Sequence, residues 1–345
     1  MNCSDWKNVK LGEIAEYVSN KVDISLVNIE NYISTENMLP NKIGVTTATK
    51  LPKTKKVNAS KYGDILISNI RPYFKKIWYC VYPCGVSSDV LIIRPRENNV
   101  DNKYLYYFLS QDNFFEYMVA TSKGTKMPRG DKKAILNYQL KLPPLEEQKK
   151  IARLLETLDN KIAINDEMNI TLEEIAQAIF KHWFVDFEFP NENGEPYKSS
   201  GGKFVESELG MIPEGWKTIK FEEISTIQNG FAFKSADYVE TGIKVVRTLN
   251  IEENGFINND DLVFLPYKFY NDNKYKKYEL ELFDTLLVMV GATIGKVGIV
   301  TERNLPSLQN QNMWRFRSKK KDIPNTLIYF FVKLINEKVK SWSTG

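Results

Sequence analysis

The chain has 345 residues, a formal net charge of +4, 43% hydrophobic residues and 26% charged residues. This length exceeds a usual single domain and points to about two domains of roughly 150 residues each, while the composition is globular and excludes a disordered or fibrous chain. So small a positive charge does not choose a partner; the local clustering of basic residues does.

No stretch reaches the roughly 18–20 uncharged apolar residues of a membrane span; the best candidate, residues 285–300, is interrupted by Lys296. The opening residues, Met1-Asn2-Cys3-Ser4-Asp5, contain no apolar core and no small-residue cleavage site, so a cytoplasmic location without a membrane partner is expected. Three cysteines, Cys3, Cys80 and Cys84, make an odd count. The lone CxxxC pair has no second pair or nearby histidine, so no structural metal is expected.

In chain order, residues 64–69 and 90–93 are alternating, β-branched stretches that predict strands, and residues 103–120 carry helical spacing. The first segment thus reads as a mixed α/β domain. Its basic residues come in two runs. Arg71, Lys75 and Lys76 interleave with Tyr73, Phe74 and Trp78, and Lys123, Lys126, Arg129, Lys132 and Lys133 lie in a glycine-punctuated stretch. Such cations suit the phosphates of a duplex.

From Pro144 the character changes. Proline stands where the first turn of a helix tolerates it, and Glu146 and Glu147 favour the positive end of the helix dipole. Ile151, Leu155, Leu158, Ile162, Asn165, Asn169, Leu172, Ala176 and Ile179 then recur at strict 4,3 spacing. That is a coiled-coil seam, with two asparagines as the polar interruptions that set register. A helix over residues 144–185 would be on the order of 60 Å long at about 1.5 Å per residue. After Phe189-Pro190, the turn formers of residues 191–202 predict a linker reaching Pro213.

Beyond the linker the first pattern returns. Trp6-Lys7-Asn8-Val9-Lys10 reads against Trp216-Lys217-Thr218-Ile219-Lys220 at an offset of 210 residues, and Tyr104-Leu105-Tyr106-Tyr107-Phe108 against Thr326-Leu327-Ile328-Tyr329-Phe330 at 222. Gly63-Asp64-Ile65-Leu66-Ile67 matches Phe283-Asp284-Thr285-Leu286-Leu287, and Ser122-Lys123-Gly124 meets Ser343-Thr344-Gly345. Strands are predicted over 286–290 and 297–300, and a helix over 325–342. The fold class is α/β (mixed α+β), with two duplicated domains separated by a long coiled-coil helix. The expected boundaries are 1–142 for the first domain, 143–188 for the helix, 189–213 for the linker and 214–345 for the second domain. The second copy offers Lys244, Arg247, Asn250, the Lys274/Lys276/Lys277 cluster and Lys296, then Gln309-Asn310-Gln311-Asn312 before Arg315 and Arg317. Asn and Gln amides can grip adenine bidentately, and Arg can do the same for guanine.

Catalytic chemistry lacks its raw materials. Gly291 to Val297 imitates a phosphate-cradling loop, but three residues separate its glycines instead of four, and Val297 replaces the Ser or Thr that holds magnesium. A DNA methyltransferase needs a polar residue before its Pro-Pro, whereas the chain has only Leu142-Pro143-Pro144-Leu145. His182 is the single histidine, which excludes histidine triads and multi-imidazole zinc sites. No strand-borne Asp is followed by the Glu-x-Lys of a metal-dependent nuclease. No catalytic residue, metal or cofactor is expected.

Three stretches resemble the specificity subunits of type I restriction-modification systems: Leu142-Pro143-Pro144-Leu145-Glu146-Glu147-Gln148, Phe184-Val185-Asp186-Phe187, and Ser207 to Trp216. Ser122-Lys123-Gly124-Thr125-Lys126-Met127-Pro128 also looks like the family pattern. The resemblance covers essentially the whole chain. It implies a non-catalytic subunit that binds double-stranded DNA through two target-recognition domains, each reading one half of a split, asymmetric site. It also implies that helical spacers hold the domains apart and dock DNA methyltransferase (M) subunits, with restriction/translocase (R) subunits joining the complex. A 60 Å rod would span roughly 18 base pairs at about 3.4 Å each. The second copy stops at Gly345, before a counterpart of residues 125–187. The expectation is therefore either a truncated gene or a partner helix from another chain, such as a second specificity chain, because so long an apolar seam should not stay solvated. The alternative function is a truncated scaffold that binds methyltransferase subunits through the coiled coil without reading DNA. A free-standing nuclease is a third class, marked by magnesium-dependent cleavage.

Overall fold

The computed structural model describes residues 6–96, 99–259, 261–291 and 293–343. The chain divides into two compact units, with the boundary between Asn165 and Asp166. That boundary falls inside one continuous helix, Leu145–Phe184, within a residue of the span expected from the heptads.

In the first unit, a four-stranded antiparallel sheet has the order Ala15–Tyr17, Val90–Pro95, Ile65–Ser68, Ile77–Tyr79. Alternate residues of a strand face opposite sides, and here both sides are covered. Ile65, Ile67, Leu91 and Ile93 pack with Leu105, Phe114, Phe115 and Met118 of the flanking helices. Leu66, Val90 and Ile92 pack with Ile33, Met38 and Val86 on the side of a second sheet. This is why the strands read as continuous apolar runs. The second sheet orders Lys21–Asp23, Lys56–Ser60, Cys84–Val86 and Tyr32–Ile33, the last pair parallel.

The second unit repeats the plan. Ser225–Asn229, Met313–Ser318, Thr285–Val288 and Val297–Ile299 form a sheet of the same order. Val263–Leu265, Ile243–Val246 and Ser307–Gln309 form its companion, again with one parallel pair. Registers coincide: Ile65 faces Ile93 and Tyr79, as Thr285 faces Phe316 and Ile299.

The strongest mark of the repeat is a polar one. Asp64 is fully buried; it accepts Arg94 Nε at 2.6 Å, Arg94 Nη2 at 2.7 Å and the Lys61 backbone N–H at 2.8 Å. Asp284, equally buried, accepts Arg317 Nε at 2.7 Å, Nη2 at 2.6 Å and the Glu281 N–H at 2.7 Å. Carboxylate, guanidinium and turn correspond atom for atom.

One expectation is corrected. The helix over 103–120 is two helices, Asn102–Leu109 and Asp112–Ala120, broken at Ser110, whose hydroxyl bonds back to Tyr106 O at 2.7 Å. Its counterpart, Asn325–Ser343, is unbroken. The segment 189–213 has local structure of its own. It holds a hairpin, Phe204–Ser207 with Gly210–Pro213, and Phe189 stacks between Tyr197 and Trp216 at 4.7 and 5.1 Å.

Asp64 is fully buried while Arg94 is partly exposed, so removing the carboxylate leaves a partly solvated guanidinium and the Lys61 N–H without their acceptor. Asp64→Ala is expected to lower the unfolding free energy by roughly 1–3 kcal/mol, read as a fall in the urea midpoint of the full chain.

Candidate DNA interface and partner helix

In the first unit the fold brings the two predicted basic runs together. Arg71 N–H donates to Pro128 O at 2.8 Å, Gly130 N–H donates to Asn69 O at 3.1 Å, and Ile70 bridges to Arg129. Lys123 and Arg129 exchange backbone bonds of 2.9 Å across the second loop. At Gly130 a Cβ would approach Asn69 Oδ1 to 2.9 Å, so a larger residue would require the Asn69 amide to shift. Arg71 and Lys75 adopt left-handed φ values of 50° and 51° on either side of a Pro72–Phe74 turn. Non-glycine residues rarely take this conformation and do so mostly at functional loops.

Arg71, Lys123, Lys126, Arg129 and Lys132 are exposed. Arg129 Nη2 reaches Asp89 at 3.2 Å, Lys123 pairs with Asp131 at 2.6 Å, and Lys75 with Asp112 at 3.0 Å. Lys123 and the N–H groups of Ala134 and Lys133 hold the Asp131 carboxyl down at about 2. Lys76 stands apart from the exposed group. It is half-buried, donates to Thr35 O at 2.7 Å, and its ammonium is lowered from the usual lysine range by burial.

The second unit overturns part of the expected set. Gln309 is fully buried and donates to Gln228 O and Met313 O at 3.1 and 2.9 Å. Arg315 is also buried, its Nη1 donating to Lys277 O and Glu279 O at 3.1 and 2.8 Å. Neither side chain is presented to solvent. Arg317 is bound to Asp284 and Glu281. Lys244 donates to Arg303 O at 2.6 Å, Arg247 to Asp261 O at 2.7 Å, and Lys296 pairs with Glu253 at 3.0 Å. These cations hold loops of their own unit.

Asn310, Gln311 and Asn312 remain at the surface, Gln311 and Asn312 exposed. Their turn occupies the place of residues 87–89 in the first unit: Asn69 N–H donates to Asp89 O, and Met289 N–H to Asn312 O, each at 2.9 Å. Beside it stands a cation-bearing aromatic cluster. Lys274 lies 5.1 Å over Tyr275 and 6.0 Å over Phe231, and Phe231 bridges to Asn310. Lys277 lies 5.1 Å over Tyr278 and Lys268 5.7 Å over Phe269. Rings so placed hold a lysine by cation–π attraction while leaving its ammonium at the surface.

The long helix is fastened to each unit by corresponding residues. Tyr107 Oη donates to Asp159 at 2.8 Å in the first unit, and Tyr329 Oη donates to Glu173 at 3.1 Å in the second. Gln148 from the Leu142–Gln148 motif is almost wholly buried. Its Oε1 accepts from Asp101 N–H at 2.9 Å, and its Nε2 donates to Asn99 O and Pro143 O at 3.0 and 2.8 Å. The sequence marked Gln148 only as part of a resemblance; its role as the fastener emerges from these three bonds. Ile151 and Leu155 are half-buried at this end.

Farther along, the seam is wet. Leu158, Ile162 and Leu172 are 51, 60 and 60% exposed, and Asn165 and Ile179 are exposed as well. Ile164, Met168 and Ile175 are also exposed and lie roughly 100° round the helix from the seam at 3.6 residues per turn. The apolar arc is therefore wider than a two-helix seam needs. Among the described residues, no helix is long and apolar enough to cross a membrane.

Two like-built α/β units share one long helix, and each sets exposed cations beside the corresponding turn at the edge of its sheet. Residues 3–174 and 213–345 match the sequence profile of the type I restriction modification DNA specificity domain, and the chain belongs to that family, the non-catalytic DNA-recognition subunits of type I restriction-modification complexes. The chain is 30% identical over 344 residues to the type I restriction enzyme MjaVIII specificity subunit of Methanocaldococcus jannaschii, covering 95% of this chain and 74% of that one. It is 35% identical over 193 residues to the HindI specificity subunit of Haemophilus influenzae, covering 54% and 42%. The crystal structure of the type I S subunit from M. genitalium shares the fold, with a TM-score of 0.55 at 13% identity over 100% of this chain and 80% of that one.

Two outcomes test the helix attachments. Gln148→Ala removes the three hydrogen bonds made by a buried carboxamide and is expected to destabilise the chain by about 1–3 kcal/mol, measured by urea unfolding. Burial alone would raise the Glu173 carboxyl, but hydrogen bonds from Lys333, Gln177 and Tyr329 outweigh it and hold the group below its ordinary value of 4.5. The resulting stabilisation is present above that value and is lost as pH falls through the lowered folded one. Between about pH 6 and pH 3 the wild-type urea midpoint should therefore fall further than that of Glu173→Gln.

Proposed function

We propose that this specificity subunit reads a bipartite, asymmetric DNA site, one half through each recognition domain, with 1–142 and 214–345 as the readers, 143–188 as spacer and 189–213 as joint. The observation that carries this reading is that each unit sets exposed cations beside the corresponding turn. In the first, Arg71, Lys123, Lys126, Arg129 and Lys132 are exposed on the two paired loops, which Arg129 ties to Asp89; in the second, Lys274 lies over Phe231, which bridges to Asn310 in the turn that ends at Asn312, the counterpart of Asp89. Lysines over rings suit phosphates, which position a protein without reading sequence, while Asn310, Gln311 and Arg71 carry the planar groups that read base edges. Because Gln309 and Arg315 are buried, they serve the shape of that surface and do not contact the duplex.

The wide apolar arc of the helix supports two neighbours. One is a helix on the Leu158–Ile162–Leu172–Ile179 seam, supplied by a second specificity chain. The other is a methyltransferase subunit on the Ile164–Met168–Ile175 side, with restriction subunits joining through the complex.

The test uses the chain co-purified with its methyltransferase, in an anisotropy assay on duplex DNA. Reversing charge at Lys123, Lys126 and Arg129 should weaken binding to all sequences and flatten the dependence of log K on log salt by about 0.9 per lost phosphate contact. Lys274→Glu with Lys277→Glu should do the same from the second unit. Gln311→Ala should instead relax base preference in a randomised-site selection. Unchanged salt slopes would remove these surfaces from the interface. A chain that binds methyltransferase but adds no sequence preference would be a scaffold.

A further inference from the structure

The first unit turns a corner between its two sheets at residues 80–84. The strand Ile77–Tyr79 ends in one sheet and Cys84–Val86 begins in the other. Cys80 and Cys84 stand at the two ends of this turn, both buried, with their Sγ atoms 3.7 Å apart. Ser60 Oγ lies 3.3 Å from Cys80 Sγ and 2.8 Å from Cys84 Sγ, and Cys80 Sγ donates to Tyr82 O at 2.9 Å. The second unit turns the same corner without sulfur. There Asn304 is buried, donates to Ile257 O at 3.1 Å, and accepts from Thr301 N–H at 2.8 Å. One carboxamide fastens that corner by ordinary hydrogen bonds, so the corner itself does not call for two thiols at van der Waals distance.

We propose that Cys80 and Cys84 form a reversible disulfide on exposure to a peroxide, converting the hydrogen-bonded corner into a covalent link between the two sheets. Hydrogen bonding from Cys84, with that from Ser60, lowers the Cys80 thiol from its usual range, and the same contact together with burial raises Cys84. Cys80 is thus the sulfur that ionises first and attacks. Its thiolate displaces one peroxide oxygen, the O–O bond breaks, and a sulfenic acid and a hydroxide result. The hydroxide takes up the proton that Cys80 released on ionising and becomes one water; the Cys84 sulfur then attacks the Cys80 sulfur, the S–O bond breaks, and the departing oxygen takes the Cys84 proton and leaves as the second water. Two thiols and one hydrogen peroxide become one disulfide and two waters. Closure requires the sulfurs to approach from 3.7 Å to about 2.05 Å. The turn above them is accessible, Val81 being 50% and Tyr82 38% exposed, so local opening of this short segment admits the oxidant without unfolding either sheet.

The full chain carrying Cys3→Ser is treated folded with hydrogen peroxide, then denatured, alkylated and mapped by mass spectrometry. The expected result is a loss of two hydrogens on the peptide or peptide pair containing Cys80 and Cys84, protection of both from alkylation, and full reversal by dithiothreitol. Cys84→Ser in the same background should show no such loss. If that variant misfolds, peptide mapping of the Cys3→Ser chain decides alone. Two alkylatable thiols after treatment, or separate oxidation of either sulfur to sulfinic acid without a link, would overturn the proposal.

Discussion

A buried carboxylate held by a guanidinium on the neighbouring strand is the constraint on which each unit depends. Asp64 with Arg94, and Asp284 with Arg317, each close a turn through a backbone N–H and tie two strands at one register. An ion pair taken out of water persists only with well-made geometry on both partners, so a slip of one residue would lose the pair and reverse both apolar faces of the strand at once. With register held, Leu66 and Ile92 must face the second sheet, and Leu286 and Met313 must do likewise. The turns at 87–89 and 310–312 then fall at the same edge, where the loops bearing cations and amides gather.

The helix obeys a different rule. It is attached by a buried carboxamide, Gln148, at one end and by a partly buried carboxylate, Glu173 with Tyr329 and Lys333, toward the other. Its middle carries leucine and isoleucine in water. The attaching residues and the exposed apolar residues thus lie largely on different faces of one element, so the apolar face remains available for contacts that the domains do not satisfy.

The features legible in the sequence were the periodic ones. Heptads located the helix nearly to the residue, because a seam over about eight turns has few alternative readings. The repeat was legible because matched strands and turns recur at steady offsets. Individual side chains at the interface were less so. Arg315 and Gln309 looked like DNA readers because their chemistry suits bases, yet strand parity and the companion sheet turn them inward. Asp64, Asp284 and Gln148 were invisible as structural residues, since burial of a polar side chain depends on partners far along the chain. The recurrence of an aspartate in Gly63-Asp64 and Phe283-Asp284, followed by Arg94 and Arg317, was the signal that could have revealed the pair. The break at Ser110 and the stacked rings of Phe189, Tyr197 and Trp216 likewise depend on local contacts that composition does not report.

One quiet feature is the short ladder in which Lys7–Lys10 runs antiparallel to Gln139–Leu142. It sets the place where the backbone enters the first reader directly beside the place where it leaves. A module whose two leads emerge together can be exchanged as a cassette by crossovers at those leads, with the rod carried over intact.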